Sequence, residues 1–213
     1  LIKLYLNISS AVLNKYLNKV LSNTFNAITV DSDTSTNDMV AIFATRKTKN
    51  KKLNIISSKE ALKFEKALGT VCHDLSKQIV VDGEGAKKFI TVKIINSETV
   101  ERAKNIAFSI ANSPLIKTAV AGEDPNWGRI LMGIGKSGEK IDSKKIIIKL
   151  GEFIVAENGK ISDSYDEEKL QEYMKWGAIL IEIDLKQGLE RYECYTCDFT
   201  HDYIDINAHY RRS

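Results

Sequence analysis

The sequence predicts a mixed α/β fold in which sheet packs on helices, and three observations carry that expectation. Segments with apolar residues three and four apart are interspersed with segments that alternate or run continuously apolar, the two periodicities of helix and strand. The 213 residues, 43% hydrophobic and 28% charged, suffice for one good-sized core, or one core with a lobe. No internal repeat, low-complexity tract or Pro/Gly-rich linker marks a boundary, so residues 1–213 read as a single domain.

Taken in order, Val12, Leu13, Tyr16, Leu17, Val20 and Leu21 recur at helical spacing. Strands are expected at 28–30 and 39–44, separated by a polar segment. Ser57 and Glu60 form a capping box ahead of a helix through Ala61, Leu68, Val71 and Leu75, and a strand is expected at 78–81. Residues 89–95 alternate as a strand does. A third helix from about Ser97 places Val100, Ala103, Ile106, Ala107, Ile110 and Ala111 on one face and stops before Pro114. Further strands are expected at 115–121, 145–150, 152–156, 178–185 and 190–200, with a turn at Asn158-Gly159 and a short helix capped by Asp166 through Leu170, Tyr173 and Met174. Residues 178–185, Lys186-Gln187-Gly188 and the alternating stretch after them read as an antiparallel hairpin, which makes the sheet mixed.

Composition excludes several classes of function. Thirty-one Lys and Arg against 28 Asp and Glu leave +3, too balanced to demand a nucleic acid or an anionic membrane as partner. The one basic concentration, Arg46 to Lys52, lacks interleaved aromatics for base stacking and reads as a solvated loop. No apolar run approaches the ~20 residues that span a bilayer, and the start carries no signal-peptide pattern, so a soluble, cytoplasmic protein is expected. Three cysteines, an odd number, fit a reducing compartment. Cys194 and Cys197 are three apart on an expected strand and would point to opposite faces, against a redox or zinc pair.

Three segments carry candidate chemistry. Gly122-Glu123-Asp124-Pro125-Asn126-Trp127-Gly128-Arg129 is either a rigid pocket wall or a tight connection into a helix that Asn126 caps, with Trp127 filling core. Val30-Asp31-Ser32-Asp33-Thr34-Ser35-Thr36-Asn37-Asp38 is rich in short hydrogen-bonding side chains, suited to an elaborate turn or to a site. A calcium loop is the alternative there, but the glycine and glutamate an EF-hand needs are missing, and no metal is expected. Asp82-Gly83-Glu84-Gly85-Ala86-Lys87 sets a carboxylate between glycines, as a surface hairpin tip or as a group that recognises an ammonium. It lacks the spacing of a phosphate-binding loop.

Together with Asn26 and the closing Cys197-Asp198 to Ile206-Asn207-Ala208, these segments stand in the order of the β chain of bifunctional ornithine acetyltransferase, also called glutamate N-acetyltransferase, and the chain resembles that family over essentially its whole length. The resemblance implies a layered α/β sandwich of the self-cleaving, N-terminal-nucleophile acetyltransferase type. It implies an enzyme of arginine biosynthesis whose precursor cuts itself before a threonine. That threonine, with its own α-amino group as base, takes acetyl from N-acetylornithine and passes it to glutamate by a ping-pong path. No cofactor is implied; some members also accept acetyl-coenzyme A as donor. The implied partner is the α chain of the same precursor, in an αβ pair that doubles.

Carried over residue by residue, Glu84 and Asn207 match the family's substrate-binding glutamate and asparagine, and Ser213 is the nearest match to a terminal hydroxyl whose usual place Arg212 occupies. Thr34, Asn37, Asp38, Asn126 and Trp127 are expected to support the pocket. Ser32 stands where the family's motif has glycine, so the turn there is expected to be relaxed or re-routed. The start, Leu1-Ile2-Lys3-Leu4-Tyr5-Leu6, departs from the family pattern, and matching Asn7 to Ser10 with the family's approach to its helix implies that the nucleophilic threonine lies upstream of Leu1. No catalytic residue is then expected within this sequence, and the competing reading is a non-catalytic remnant or assembly subunit of the same family.

Overall fold

A computed structural model describes residues 1–209, which pack as two compact units. The first comprises Leu1–Ala27 and Asp33–Ser76, the second Ile28–Ser32 and Lys77–Ser213, of which residues 28–32 and 77–209 are described. Strands β1 (Ile2–Leu4) and β2 (Ile42–Ala44) pair in parallel in the first unit, so only the end of the strand expected at 39–44 forms. Helix α1 (Ser10–Leu21) starts at Ser9, whose hydroxyl accepts from Val12 N, and it buries Val12, Leu13, Tyr16 and Val20, as the spacing predicts. These pack with Ile2, Ile8, Ala61, Leu68 and Cys72.

Helix α2 (Lys59–Val81) is longer than expected and absorbs residues 78–81, which are not a strand. Leu68, Cys72, Ser76 and Val80 are buried four apart, so the apolar run continues one helical stripe that alternation over four residues could not distinguish. Its cap is Ser58, which accepts from Ala61 N at 3.2 Å, one residue beyond the expected Ser57.

The second unit holds a six-stranded mixed sheet in the order β6-β5-β4-β7-β3-β8. Its members are β3 (Phe89–Ser97), β4 (Ile147–Leu150), β5 (Phe153–Glu157), β6 (Lys160–Ile161), β7 (Ala178–Asp184) and β8 (Glu190–Cys197). Strand β3 pairs in parallel with β7 and antiparallel with β8, so the expected β7–β8 hairpin does not form and β3 lies between its two arms. Alternation along β3 and β7 buries Ile90, Val92, Ile94, Ile179, Ile181 and Ile183 on one face, where α3 (Val100–Ala111) packs on β3 and β8. Asn158 and Gly159 both take positive φ in the β5–β6 turn, as the dipeptide predicts.

Residues 115–121, expected as a strand, form helix α4 (Pro114–Ala121). Pro114 ends α3 and also begins α4, because at the first helical position its missing N–H and fixed φ cost nothing. Helix α5 (Trp127–Gly135) follows, and α6 (Glu167–Met174) is capped by Asp166 as expected. Helix α7 (His201–His209) closes the described chain. Among the described residues no helix is long and apolar enough to cross a membrane.

Candidate functional site

The Gly-Glu-Gly segment is a tight turn built on the end of α2, closed by Asp82 N to Gln78 O at 2.9 Å and Ala86 N to Gly83 O at 2.9 Å. Packing requires the glycine at 85 and leaves little room for a side chain at 83. A Cβ on Gly85, at φ +69°, would stand 2.5 Å from Tyr203 N and 2.9 Å from the Asp202 carbonyl carbon. A Cβ on Gly83 would meet Val80 O at 3.0 Å, the Val30 side chain at 3.2 Å and Cys197 Sγ at 3.3 Å. What approaches Gly85 is the first turn of α7.

That approach joins residues 123 positions apart. Asn207 Nδ2 donates to Glu84 Oε2 at 2.9 Å and also to Tyr203 O at 3.0 Å. Thr200 Oγ1 donates to Gly85 O at 2.7 Å, and Tyr203 Oη to Asp31 Oδ2 at 3.0 Å, so α7 is bonded to the turn and to the start of the acidic-polar segment. Phe199 stacks on Tyr203 at 4.7 Å between centroids. Glu84 and Asn207 are exposed, and no other hydrogen bond engages Glu84 Oε1 or Asn207 Oδ1 among the described residues.

Beneath this pair lies a buried polar cluster that sequence reasoning missed. Asp198 is 1% exposed; its Oδ1 accepts from Lys87 N and Lys88 N, each at 2.9 Å, and its Oδ2 has no partner among the described residues. Lys117, on α4, is also 1% exposed. Its ammonium donates to Thr196 Oγ1 at 2.7 Å and to the Cys197 carbonyl, and sits 4.4 Å from the centre of the Phe199 ring. Burial pushes the Lys117 ammonium below the usual lysine range, opposed by the field of Cys197, Asp198 and Asp31. The Cys197 thiol, 3.8 Å away, is pushed up by burial and pulled back by the same lysine.

The remaining sequence candidates fall as follows. Asn126 caps α5, its Oδ1 accepting from Arg129 N at 3.0 Å, so its side chain serves the connection from α4. Trp127 opens α5 and is half-buried, and Pro125 is buried. This loop is tied to the residues after the glycine turn by the ion pair of Lys88 Nζ with Glu123 Oε1 at 3.0 Å. Ser32 keeps a glycine-like φ of +78°, so the turn expected to relax retains its left-handed geometry. Thr34, Asn37 and Asp38 lie in the first unit on exposed coil, where Asn37 N donates to Ser35 Oγ at 3.3 Å. Ser213 and Arg212 lie outside the described residues. Cys194 and Cys197 are both buried and free, on opposite faces of β8. Among the described residues no group of three or more His, Cys, Asp or Glu could hold a metal ion.

Chemically, the arrangement joins a carboxylate and a carboxamide through one hydrogen bond, Asn207 Nδ2 to Glu84 Oε2, and each group keeps an oxygen able to accept another. Such a pair can accept from an ammonium or an amide N–H, and Asn207 holds the carboxylate in one orientation.

Comparison with known proteins identifies the family. The model of the ArgJ family matches residues 2–212. The chain is 44% identical over 204 residues to the arginine biosynthesis bifunctional protein ArgJ of Zymomonas mobilis, and 42% identical over 207 residues to that of Brucella melitensis; each match covers 96% of this chain and 50% of the relative. The chain thus spans about half the length of the curated relatives it matches. The crystal structure of the arginine biosynthesis bifunctional protein from Bacillus halodurans superposes with a TM-score of 0.92 at 36% identity, covering 97% of each chain. With the same mixed sheet and helices in that solved relative and a family match over nearly every residue, the chain belongs to the ArgJ family.

Proposed function

We propose that this chain is the β portion of an αβ acetyltransferase that moves acetyl from N-acetylornithine to glutamate in arginine biosynthesis, in the cytoplasm. The observation that carries the reading is the bond between Asn207 and Glu84, which brings together the two residues that match the family's substrate-binding pair. A threonine preceding Leu1, freed by self-cleavage of the precursor, is the nucleophile. Its hydroxyl attacks the acetyl carbonyl, its α-amino group takes the hydroxyl proton, and ornithine's amine leaves with a proton. Glutamate's amine then attacks the acetyl ester and regenerates the threonine. No metal or redox cofactor takes part; acetyl-coenzyme A is a further donor the family reading admits.

In this scheme Glu84 receives the substrate's ammonium on Oε1 while Asn207 holds Oε2. The α chain supplies the rest of the pocket, and two αβ pairs associate. Family membership and the half-length match support this reading, since the relatives bear the name of an arginine-biosynthesis enzyme twice as long. The test is kcat/KM for N-acetylornithine in Glu84→Gln, made from the complete gene. Loss of the charge-assisted bond should lower it by more than about 1 kcal/mol, roughly fivefold or more. An unchanged value would remove Glu84 from the site.

A further inference from the structure

Near the segments that carry Glu84 and Asn207 stands a buried lysine, Lys117, which the acetyl transfer does not use. The side chain of Lys117 makes its polar contacts on the last two residues of β8 and reaches into the segment that leads from there to α7: Thr196 Oγ1 at 2.7 Å, the Cys197 carbonyl, and Cys197 Sγ at 3.8 Å, with the Phe199 ring at 4.4 Å. The main chain joins in, since Phe199 N donates to Lys117 O at 3.3 Å. Asp198, in the middle of that segment, holds Lys87 N and Lys88 N, which lead out of the turn that carries Glu84. Helix α7 begins at His201, directly after this clasp, and carries Asn207 yet buries none of its residues. A helix so weakly embedded takes its place from where its first residues are held.

Burying an ammonium carries a desolvation cost that its hydrogen bonds only offset. A packed apolar residue would hold α4 against β8 without that cost. What the lysine adds is a directional hold on one strand end, set by charge-assisted bonds. We propose that Lys117 is a positioning residue: by fixing Thr196 to Phe199 it sets the entry of α7, and so the placement of Asn207 against Glu84. The inference rests on the reading of that pair as the substrate site. Lys117 itself touches no reacting atom. It stands on the helix that leads into the Trp127 loop, and Asp198, next to the residues it holds, binds the backbone that leaves the Glu84 turn.

The experiment is steady-state kinetics with N-acetylornithine on the two-chain enzyme made from the complete gene, for Lys117→Met, Asn207→Ala and the double variant. Lys117→Met should raise KM about fivefold or more while kcat stays within about twofold, because a misplaced Asn207 weakens binding without touching the nucleophile. In the double variant the two effects should not multiply, since both act through one contact. A lysine with a purely structural role would lower the active fraction, and hence apparent kcat, with KM unchanged and the effects multiplying. If Lys117→Met does not fold, Thr196→Val, which removes one acceptor at equal volume, is read in its place and should raise KM in the same direction. A raised KM in Asn207→Ala with an unmoved KM in the lysine or threonine variant would overturn this inference and leave the proposed site standing. An unmoved KM in Asn207→Ala would overturn both.

Discussion

Replacing Gly85 by alanine separates the local anchorage of α7 from the stability of the rest of the second unit. The new Cβ would stand 2.5 Å from Tyr203 N, whereas ordinary contact begins at 3.4 Å, so α7 must retreat by about 0.9 Å. A retreat of that size along the bond stretches Asn207 Nδ2 to Glu84 Oε2 from 2.9 Å past the limit of a hydrogen bond, and the Thr200 to Gly85 bond at 2.7 Å is strained with it. Two bonds at about 1 kcal/mol each, with part of the 1–2 kcal/mol left-handed strain at φ +69°, remove roughly 2–3 kcal/mol of α7 docking. Because α7 buries none of its residues, the helix detaches rather than forcing the core to adjust. Amide exchange across residues 201–209, read by mass spectrometry, should accelerate roughly 30- to 150-fold. Gly138→Ala is the control: φ is +81° but nothing lies within 4 Å of the added Cβ, so it carries the strain without the collision. Equal exchange of α7 in the two variants would refute the packing argument, as would a fall in thermal stability of Gly85→Ala with α7 unaffected.

Ser32→Gly should stabilise the protein by up to about 1 kcal/mol, since relief of left-handed strain at φ +78° exceeds the entropy glycine adds to the unfolded chain; urea unfolding checks this, and a loss of stability would contradict it. Burial pushes the Tyr192 hydroxyl up from 10.0 to about 12 in a residue only 7% exposed. The folded state therefore holds its proton longer than the unfolded state does. Its contribution of about 2–3 kcal/mol is intact below pH 10 and disappears as pH rises towards 12. Tyr192→Phe should flatten the fall of unfolding free energy across that window, and equal slopes in the two proteins would show that another group governs it.

Where the amino-acid sequence repeats a period over many residues, the fold was legible in it. Helix α1, helix α3 and strand β3 each set a long apolar face against a polar one, and burial alternates along β3 as expected. Short apolar runs misled. Residues 115–121 carry too few polar positions to reveal a period, and the helix became evident only from Pro114 at its first position and buried Ile116, Lys117, Ala119 and Val120. The hairpin failed for another reason: local alternation and turn residues describe neighbours in sequence, but β3, far earlier in the chain, inserts between β7 and β8.

The candidate site divides in the same way. The glycine-flanked Glu84 stood out as a turn on local grounds, whereas its pairing with Asn207 came only from resemblance, because 123 residues separate them. Asn126 was legible as a cap from its place before an apolar stretch. Lys117 was passed over because a lysine in an apparent strand reads as a solvent-facing alternate. Its burial depends on Thr196 and Cys197, 79 and 80 residues away. The only local signal was a charge inside an otherwise apolar run once that run is taken as a helix.

Intact-mass spectrometry of the protein expressed from the complete gene, before and after brief exposure to N-acetylornithine, tests the acetyl-transfer reading most directly. Two chains are expected, with the smaller beginning at a threonine upstream of Leu1 and gaining one acetyl group, which glutamate then removes. A single uncut chain, or a smaller chain that never acquires acetyl, would contradict it.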